Sequence, residues 1–493
     1  AIWAIPDDVK QANPGQIKAL TGLLDVPEAD LRRRLNDEDR NFVYLKRQVP
    51  MDVADKIKQL NIPGVHQQPE SMRYYPEGDV AAHVVGFTDI EDKGQEGVEL
   101  TFNDQLSGRD GSRRVIKDRL GHVIEDVQAV NPPEDGRDLT LSIDTRLQYL
   151  LYKELQDAIT QHQARAATAV ILDVQTGEIL ALASLPAFDS NHREKLQADA
   201  LRNRAVTDTF EPGSIMKPFT AALALDLGRI TTSTLFETGN GRFQYQGNTI
   251  TDVERGGNGT IDVAGVLRLS SNIGMTLISE RLEAHEMWDC FASLGLGQAP
   301  QVGFPGMAPG RLRPWDRWRL IEKATMAYGY GLSVSLLQAA RAYTVFARDG
   351  DMVSLSLVKR DSASAPTSVR IYSSKTAGLI RSMLEAAAGP NGSKVTVPGY
   401  RIAGKTGTAR KIVDGRYSQQ RYRSSFVGFA PVSNPRIVVA VSVDEPKVGG
   451  YYGAAVAGPV FSRVMSGSLR LMGVQPDAPF ESTVVAANPE PAR

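Results

Sequence analysis

The spacing of hydrophobic and polar positions changes near residue 138. Before it, apolar runs are short, charges are dense and turns are frequent. Apolar residues recur every three to four positions over residues 27–34 and 51–60, which predicts two short helices. Residues 110–116 and 120–124 alternate around a glycine-containing turn, as a hairpin does. Asn131-Pro132-Pro133-Glu134-Asp135-Gly136 is the densest turn cluster in this half and marks a boundary. The expected division is an N-terminal module of residues 1–138, a second module of 139–474 and a loose tail of 475–493. The tail carries Pro476, Pro479, Pro489 and Pro491.

The second module has longer periods. Residues 139–143 alternate. Thr145 and Gln148 then fit a capping box ahead of Leu147, Leu150, Leu151, Leu155 and Ile159, an amphipathic helix. Residues 169–173 and 178–183 flank Gln175-Thr176-Gly177, giving an antiparallel hairpin. Residues 215–345 read as mostly helical with glycine-rich interruptions. The β-branched run at 437–443 has the length of one buried strand. Early strands, a helical middle and late strands imply an α/β module whose sheet is assembled from both ends.

Composition narrows the class. A chain of 493 residues, 42% hydrophobic and 23% charged, is globular and long enough for several domains. Its 56 basic residues against 57 acidic ones leave no basic excess for a nucleic-acid partner. A single cysteine, Cys290, excludes a disulfide framework and a cysteine-rich zinc site. The six histidines (66, 83, 122, 162, 192 and 285) are scattered, none with a partner four residues on, so neither metal nor cofactor is expected. No apolar run reaches the roughly 18 residues that span a bilayer. The N-terminus has no basic region, cleavage signature or initiating Met, and reads as the start of a trimmed fragment.

The strongest chemical signal is Glu211-Pro212-Gly213-Ser214-Ile215-Met216-Lys217-Pro218. Pro-Gly turns the chain and an apolar helix follows, so Ser214 and Lys217 share one face of a helix start. A serine hydroxyl needs an adjacent base to become a nucleophile. A lysine serves if burial or a second cation keeps it neutral, and a three-unit depression costs about 4 kcal/mol. Pro218 has no N–H, which leaves the Ser214 carbonyl without its i+4 donor and predicts an irregular first turn. Ser-x-x-K alone arises roughly once or twice by chance in such a chain. Ser356 and Lys359 form one such decoy, in a period-two pattern that turns them to opposite sides.

Two further tripeptides follow in order. Ser270-Ser271-Asn272 lies between apolar helical runs, where unpartnered polar groups would each cost about 1–3 kcal/mol if buried. Lys405-Thr406-Gly407-Thr408 follows Gly404, and the two glycines would let an extended peptide approach this strand edge. Lys405 supplies a second cation that would depress Lys217 and hold a carboxylate. Tyr451 and Tyr452, after Gly449-Gly450, fit either an aromatic wall on a loop or plain loop packing.

Ser-x-x-Lys, Ser-x-Asn and Lys-Thr-Gly in this order mark class A β-lactamases and penicillin-binding proteins. The chain resembles a class B penicillin-binding protein of the division, or septal, transpeptidase type. Arg73-Tyr74-Tyr75-Pro76, Gly86-Phe87, Gly94-Gln95-Glu96-Gly97 and Asp110-Gly111-Ser112-Arg113 resemble the family's pedestal. Residues 173–184 resemble its opening hairpin, and Tyr328-Gly329-Tyr330-Gly331 its helix before the third motif.

The resemblance implies a penicillin-binding, serine β-lactamase-like domain: an antiparallel sheet flanked by helices, with an all-helical subdomain, on an elongated α+β pedestal. It implies that Ser214 is acylated and Lys217 takes its proton. Ser270 would relay a proton to the leaving amine, and Asn272 would hold a substrate amide. Thr406 and Thr408 would bind a terminal carboxylate, with the Ser214 and Thr408 N–H groups as oxyanion hole. Gly407, Tyr330, Tyr451 and Tyr452 are the further candidate substrate-binding residues. The implied ligands are peptidoglycan stem peptides and covalently bound β-lactams. The implied partners are cell-division membrane proteins on the pedestal. The implied place is the periplasmic face of the inner membrane, through a single-pass anchor outside this chain. Ser271 stands where many relatives carry Asp. A serine β-lactamase, a D,D-carboxypeptidase and a non-catalytic divisome scaffold remain alternatives.

Overall fold

The computed structural model describes residues 1–36, 42–117, 123–193, 196–254, 256–361 and 365–478. Backbone contacts divide the chain into two units, residues 1–76 with 87–136, and residues 77–86 with 137–493.

In the first unit a three-stranded antiparallel sheet runs in the order Val43–Lys46, Ile2–Ala4, Val65–Gln67. Leu20, Leu24, Leu31, Leu45 and Ile57 fill its core. The two helices read from the sequence are present at Glu28–Leu35 and Met51–Gln59, each beginning just after a proline that presets the entry backbone. Ser112–Lys117 pairs antiparallel with Val123–Asn131. Leu120, Gly121 and His122 of the expected hairpin lie outside the described residues.

The second unit opens with helix α1 (Thr145–His162). Strands β1 (Ala166–Asp173) and β2 (Ile179–Leu185) form the expected hairpin. Helices α2 (Lys217–Asp226) and α3 (Asn272–Ser279) follow in the middle of the chain. Then come β3 (Ala403–Val413), β4 (Arg416–Ala430), β5 (Ile437–Asp444) and the long helix α4 (Gly453–Leu471). The sheet order is β3-β4-β5-β1-β2, antiparallel throughout, so strands from both ends of the module meet where β5 pairs with β1.

The apolar run at residues 437–441 of β5 has a direct cause, since both faces of the sheet are covered. Val439, Val441 and Val443 join Ala167, Ala169 and Ile171 under Leu151 and Leu155 of α1 and Val460, Phe461 and Val464 of α4. Their opposite-facing neighbours Val438, Ala440, Val170 and Leu172 are equally buried.

Three local readings are corrected. The cap of α1 is Asp144, whose side chain accepts from Arg146 N, rather than a Thr145–Gln148 box. Gln148 is buried instead, donating to the Val80 and Leu182 carbonyls at 2.8 Å each and accepting from Leu182 N at 2.9 Å. A box needs its second residue free to reach back, and burial claims this one for β2. Residues 139–143 form no strand, only a bridge between Leu141 and Val358. The helical middle also holds two small ribbons, Leu235–Glu237 with Thr260–Asp262 and Arg242–Tyr245 with Asn248–Thr251. At the far end, Asp477 accepts from Arg401 N and Ser433 N, and Ala478 N donates to Gly399 O. Residues 479–493 of the expected tail lie outside the described residues.

These assignments separate three substitutions by urea unfolding. Gln148→Ala is expected to cost about 1–3 kcal/mol because it strands buried backbone groups. Asp144→Ala should cost about 1 kcal/mol as a lost cap, and the exposed Thr145→Ala less than about 0.5 kcal/mol.

Candidate active site

The turn carrying Ser214 is built by its proline. Gly213–Met216 is a 3-10 turn, and Lys217 N donates to Ser214 O, an i+3 bond. Pro218 offers no N–H at i+4, so the shorter closure is the one left to this carbonyl. Gly213 starts the turn at φ 58° and donates its N–H to Gly329 O at 3.0 Å. A Cβ on Gly329 would lie 2.1 Å from Gly213 O, so only glycine fits there. Buried Tyr343 fixes the other side, donating its hydroxyl to Ile215 O at 2.9 Å.

Three distant stretches converge on one oxygen. Lys217 Nζ donates to Ser270 Oγ at 3.1 Å and also to the Ser270 carbonyl. Lys405 Nζ donates to the same Oγ at 3.0 Å. Ser270 Oγ in turn meets Ser214 Oγ at 3.0 Å. The hydroxyl bracketed by the two ammonium groups is therefore that of Ser270, and Ser214 joins them through it.

Both lysines are buried, Lys217 completely and Lys405 to 3% exposure. Burial, then the neighbouring Lys405 charge, depress the Lys217 pKa far below its usual 10.5, while the Asp252 carboxylate works against them. Burial alone brings Lys405 down to about 8. Ser270 itself is held at φ 56°, a left-handed conformation that surrounding structure must enforce on a residue with a side chain.

Asn272 opens α3 and donates its side-chain amide to Thr251 O at 3.0 Å. Thr406, Gly407 and Thr408 lie on β3, the edge strand, paired with Phe426, Ser425 and Ser424 of β4. The glycines here serve the protein's own packing. A Cβ on Gly404 would strike the Phe426 ring at 2.6 Å, and one on Gly407 would come within 3.1 Å of Pro212 O and 3.2 Å of Ile215 Cγ2. Gly407 thus seats the nucleophile turn against the strand. Thr408 Oγ1 accepts from Gly453 N at 2.9 Å, which joins β3 to the start of α4.

The aromatic residues group at the margins. Tyr330 packs edge-on to Tyr417, with ring centroids 6.1 Å apart. The Tyr417 hydroxyl donates to Glu211 Oε1 at 3.1 Å, and the Glu211 carboxyl is pushed up by its burial. Tyr451 stacks on Tyr422 at 4.0 Å and touches Tyr452, whose own side chain stays 47% exposed. The decoy serine is spent locally: Ser356 donates to Val358 O, while Lys359 pairs with Glu178. Cys290 is buried beside the Tyr372 hydroxyl, which leaves it inert.

Asp252, Glu211, Tyr417, Tyr422 and Gly453 were missed in the sequence. Only Glu211 carried a signal, its place three residues before Ser214.

The family profile described as "Penicillin binding protein transpeptidase domain" matches residues 167–466, and that of the "Penicillin-binding Protein dimerisation domain" matches residues 1–141. The chain belongs to the penicillin-binding protein transpeptidase family. It is 43% identical over 490 residues to the "Probable peptidoglycan D,D-transpeptidase PenA" of Neisseria gonorrhoeae, covering 98% of this chain and 83% of that one. It is 40% identical over 486 residues to the "Peptidoglycan D,D-transpeptidase FtsI" of Escherichia coli K12, covering 97% and 81%. Among solved structures, the apo transpeptidase domain of Burkholderia pseudomallei penicillin-binding protein 3 is similar at 52% identity and a TM-score of 0.64. That match covers 69% of this chain and 98% of that domain.

The lysine pair gives a test that needs no substrate. In ¹⁵N-lysine NMR, Lys217 should titrate well below 10.5, and Lys405→Gln should move its midpoint to higher pH by removing a like charge. An unchanged or lower midpoint would contradict the coupling.

Proposed function

We propose that this chain is a peptidoglycan D,D-transpeptidase that cross-links stem peptides through an acyl-enzyme on Ser214, in septal cell-wall synthesis. The observation that carries this reading is the contact series from Ser214 Oγ to Ser270 Oγ to the two buried ammonium groups. With Lys217 neutral, that series runs in reverse: Ser214 donates to Ser270 and Ser270 to Lys217 Nζ.

Ser214 Oγ attacks the carbonyl carbon of the D-Ala–D-Ala bond as its proton passes through Ser270 to Lys217. The backbone N–H groups of Ser214 and Thr408 receive the oxyanion. The C–N bond then breaks, its nitrogen takes the proton back by way of Ser270, and D-Ala leaves. An amine from a neighbouring stem attacks the ester, and Ser214 regains its proton. Thr406 and Thr408 bind the terminal carboxylate in the field of Lys405, and Asn272 holds a donor amide. Tyr330, Tyr451 and Tyr452 line the peptide's path. A β-lactam follows the same first step, but its ring opens without losing a fragment and the ester persists.

Residues 1–138 form the pedestal and take cell-division membrane proteins as partners. Residues 139–474 carry the chemistry at the periplasmic face of the inner membrane, where the substrate lies. Among the described residues no helix is long and apolar enough to cross a membrane.

Intact-mass measurement after penicillin treatment tests the reading. One adduct, stable for many minutes and mapped to Ser214, is expected, and Ser214→Ala should take none. Lys217→Ala should slow acylation by about 10²–10⁴-fold. Rapid turnover of the adduct would make the chain a β-lactamase. An adduct surviving in Ser214→Ala would overturn the nucleophile.

A further inference from the structure

The middle of the Ser270-Ser271-Asn272 tripeptide is a hydroxyl, where the Ser-Asp-Asn form of the motif has a carboxylate. A carboxylate stands at that place nonetheless, supplied from another part of the chain. Asp252 follows the ribbon strand Asn248–Thr251 and reaches across to the start of α3. Its Oδ2 accepts from Ser271 Oγ at 2.6 Å and from Asn258 Nδ2 at 3.0 Å. Its Oδ1 accepts from the backbone N–H of Asn272 at 2.6 Å and of Ile273 at 3.1 Å.

We propose that Asp252 is a positioning residue of this active site: it locks Ser270-Ser271-Asn272 in place and sets a negative charge beside Lys217. The proposal rests on the transpeptidase reading above and deepens it.

The geometry goes beyond a helix cap: Ser271 caps α3 by accepting from Gly274 N at 2.8 Å, while Asp252 takes the two amides before it and also the Ser271 hydroxyl. Asp252 holds that cap from behind, and the neighbouring Thr251 carbonyl holds the Asn272 side chain. Two consecutive residues of the ribbon thus fix the two residues after Ser270. With that segment fixed, Ser270 stays at φ 56°, presenting both its hydroxyl and its carbonyl to Lys217. Asp252 is itself anchored, its N–H donating to Gly241 O at 3.1 Å. Gly257 closes the loop so tightly that a Cβ would lie 2.1 Å from Gly239 O.

The charges around Lys217 come from two elements. Lys405 on β3 disfavours its ammonium form and Asp252 favours it. The Tyr328 phenol also feels Asp252, after its own burial and Tyr330. Removing the Asp252 charge leaves Lys405 unopposed, so Lys217 loses its proton at lower pH.

The test measures penicillin acylation rate against pH for the full chain as wild type, Asp252→Asn, Asp252→Glu and the exchange Asp252→Ser/Ser271→Asp. Asp252→Asn is expected to acylate about 10–100-fold more slowly through misplaced Ser270 and Asn272. Its acid limb should also move to lower pH, because the Asp252 charge that favours the Lys217 ammonium is gone. The exchange, which returns a carboxylate to the same place, should recover both and carries the comparison if Asp252→Asn fails to fold. A wild-type rate in Asp252→Asn overturns the proposal. So does a slowed rate with an unmoved limb, the signature of a purely structural contact. If the wild type takes no adduct, the transpeptidase reading fails instead. The Lys217 titration by ¹⁵N NMR then still decides whether Asp252 acts on it: a downward midpoint in Asp252→Asn supports the link and an unchanged one removes it.

Discussion

Two ammonium groups buried around one serine hydroxyl set the terms for this molecule. Both lysines are withdrawn from bulk solvent, and each is within 3.1 Å of the same oxygen. Such crowding is unfavourable for two charged forms, so both groups hold their protons less tightly than an exposed lysine does. The rest of the second unit exists to keep those groups from drifting apart. The stability lost in burying them is offset by a sheet covered on both faces.

The supporting structure is specific about where it is stiff. Pro218 closes the Ser214 turn tightly, Gly329 and Gly407 let backbone approach it from two sides, and Tyr343 holds it from beneath. None of these residues touches the Ser214 hydroxyl, yet each limits how far it can move. Positioning on this scale governs rate, because misplacement by an ångström is enough to separate reacting groups. The Ser270 backbone, held in the left-handed region, is the one strained point in the set, with its carbonyl held by Lys217 and the next residue, Ser271, held by Asp252.

Much of this was legible in the sequence, for reasons that can be named. Ser214 and Lys217 are three residues apart on a turn whose proline announces its own irregularity. The β-branched run at 437–443 had the length of one buried strand. The motif order brought Ser270 and Lys405 into consideration before any contact was known. What stayed hidden depended on neighbours far along the chain. Gln148 satisfied a capping pattern that Asp144 fulfils in fact, because a buried strand claimed its amide. Gly404 and Gly407 read as room for a visiting peptide, whereas Phe426 and Pro212 occupy the space. Asp252 sits in a glycine-rich stretch that resembles an ordinary surface loop, and nothing nearby in sequence points to Ser271.

Among the described residues the sheet ends at β3, with no further strand paired to its outer side. An unsatisfied row of backbone groups is a standing invitation to any extended polypeptide, including a second copy of the same molecule. Of the cations along β3, Lys405 is buried against Ser270 and Lys411 pairs with Asp444 and Glu445, which leaves Arg410 as the exposed one. An exposed charge on an edge strand discourages pairing with a like strand.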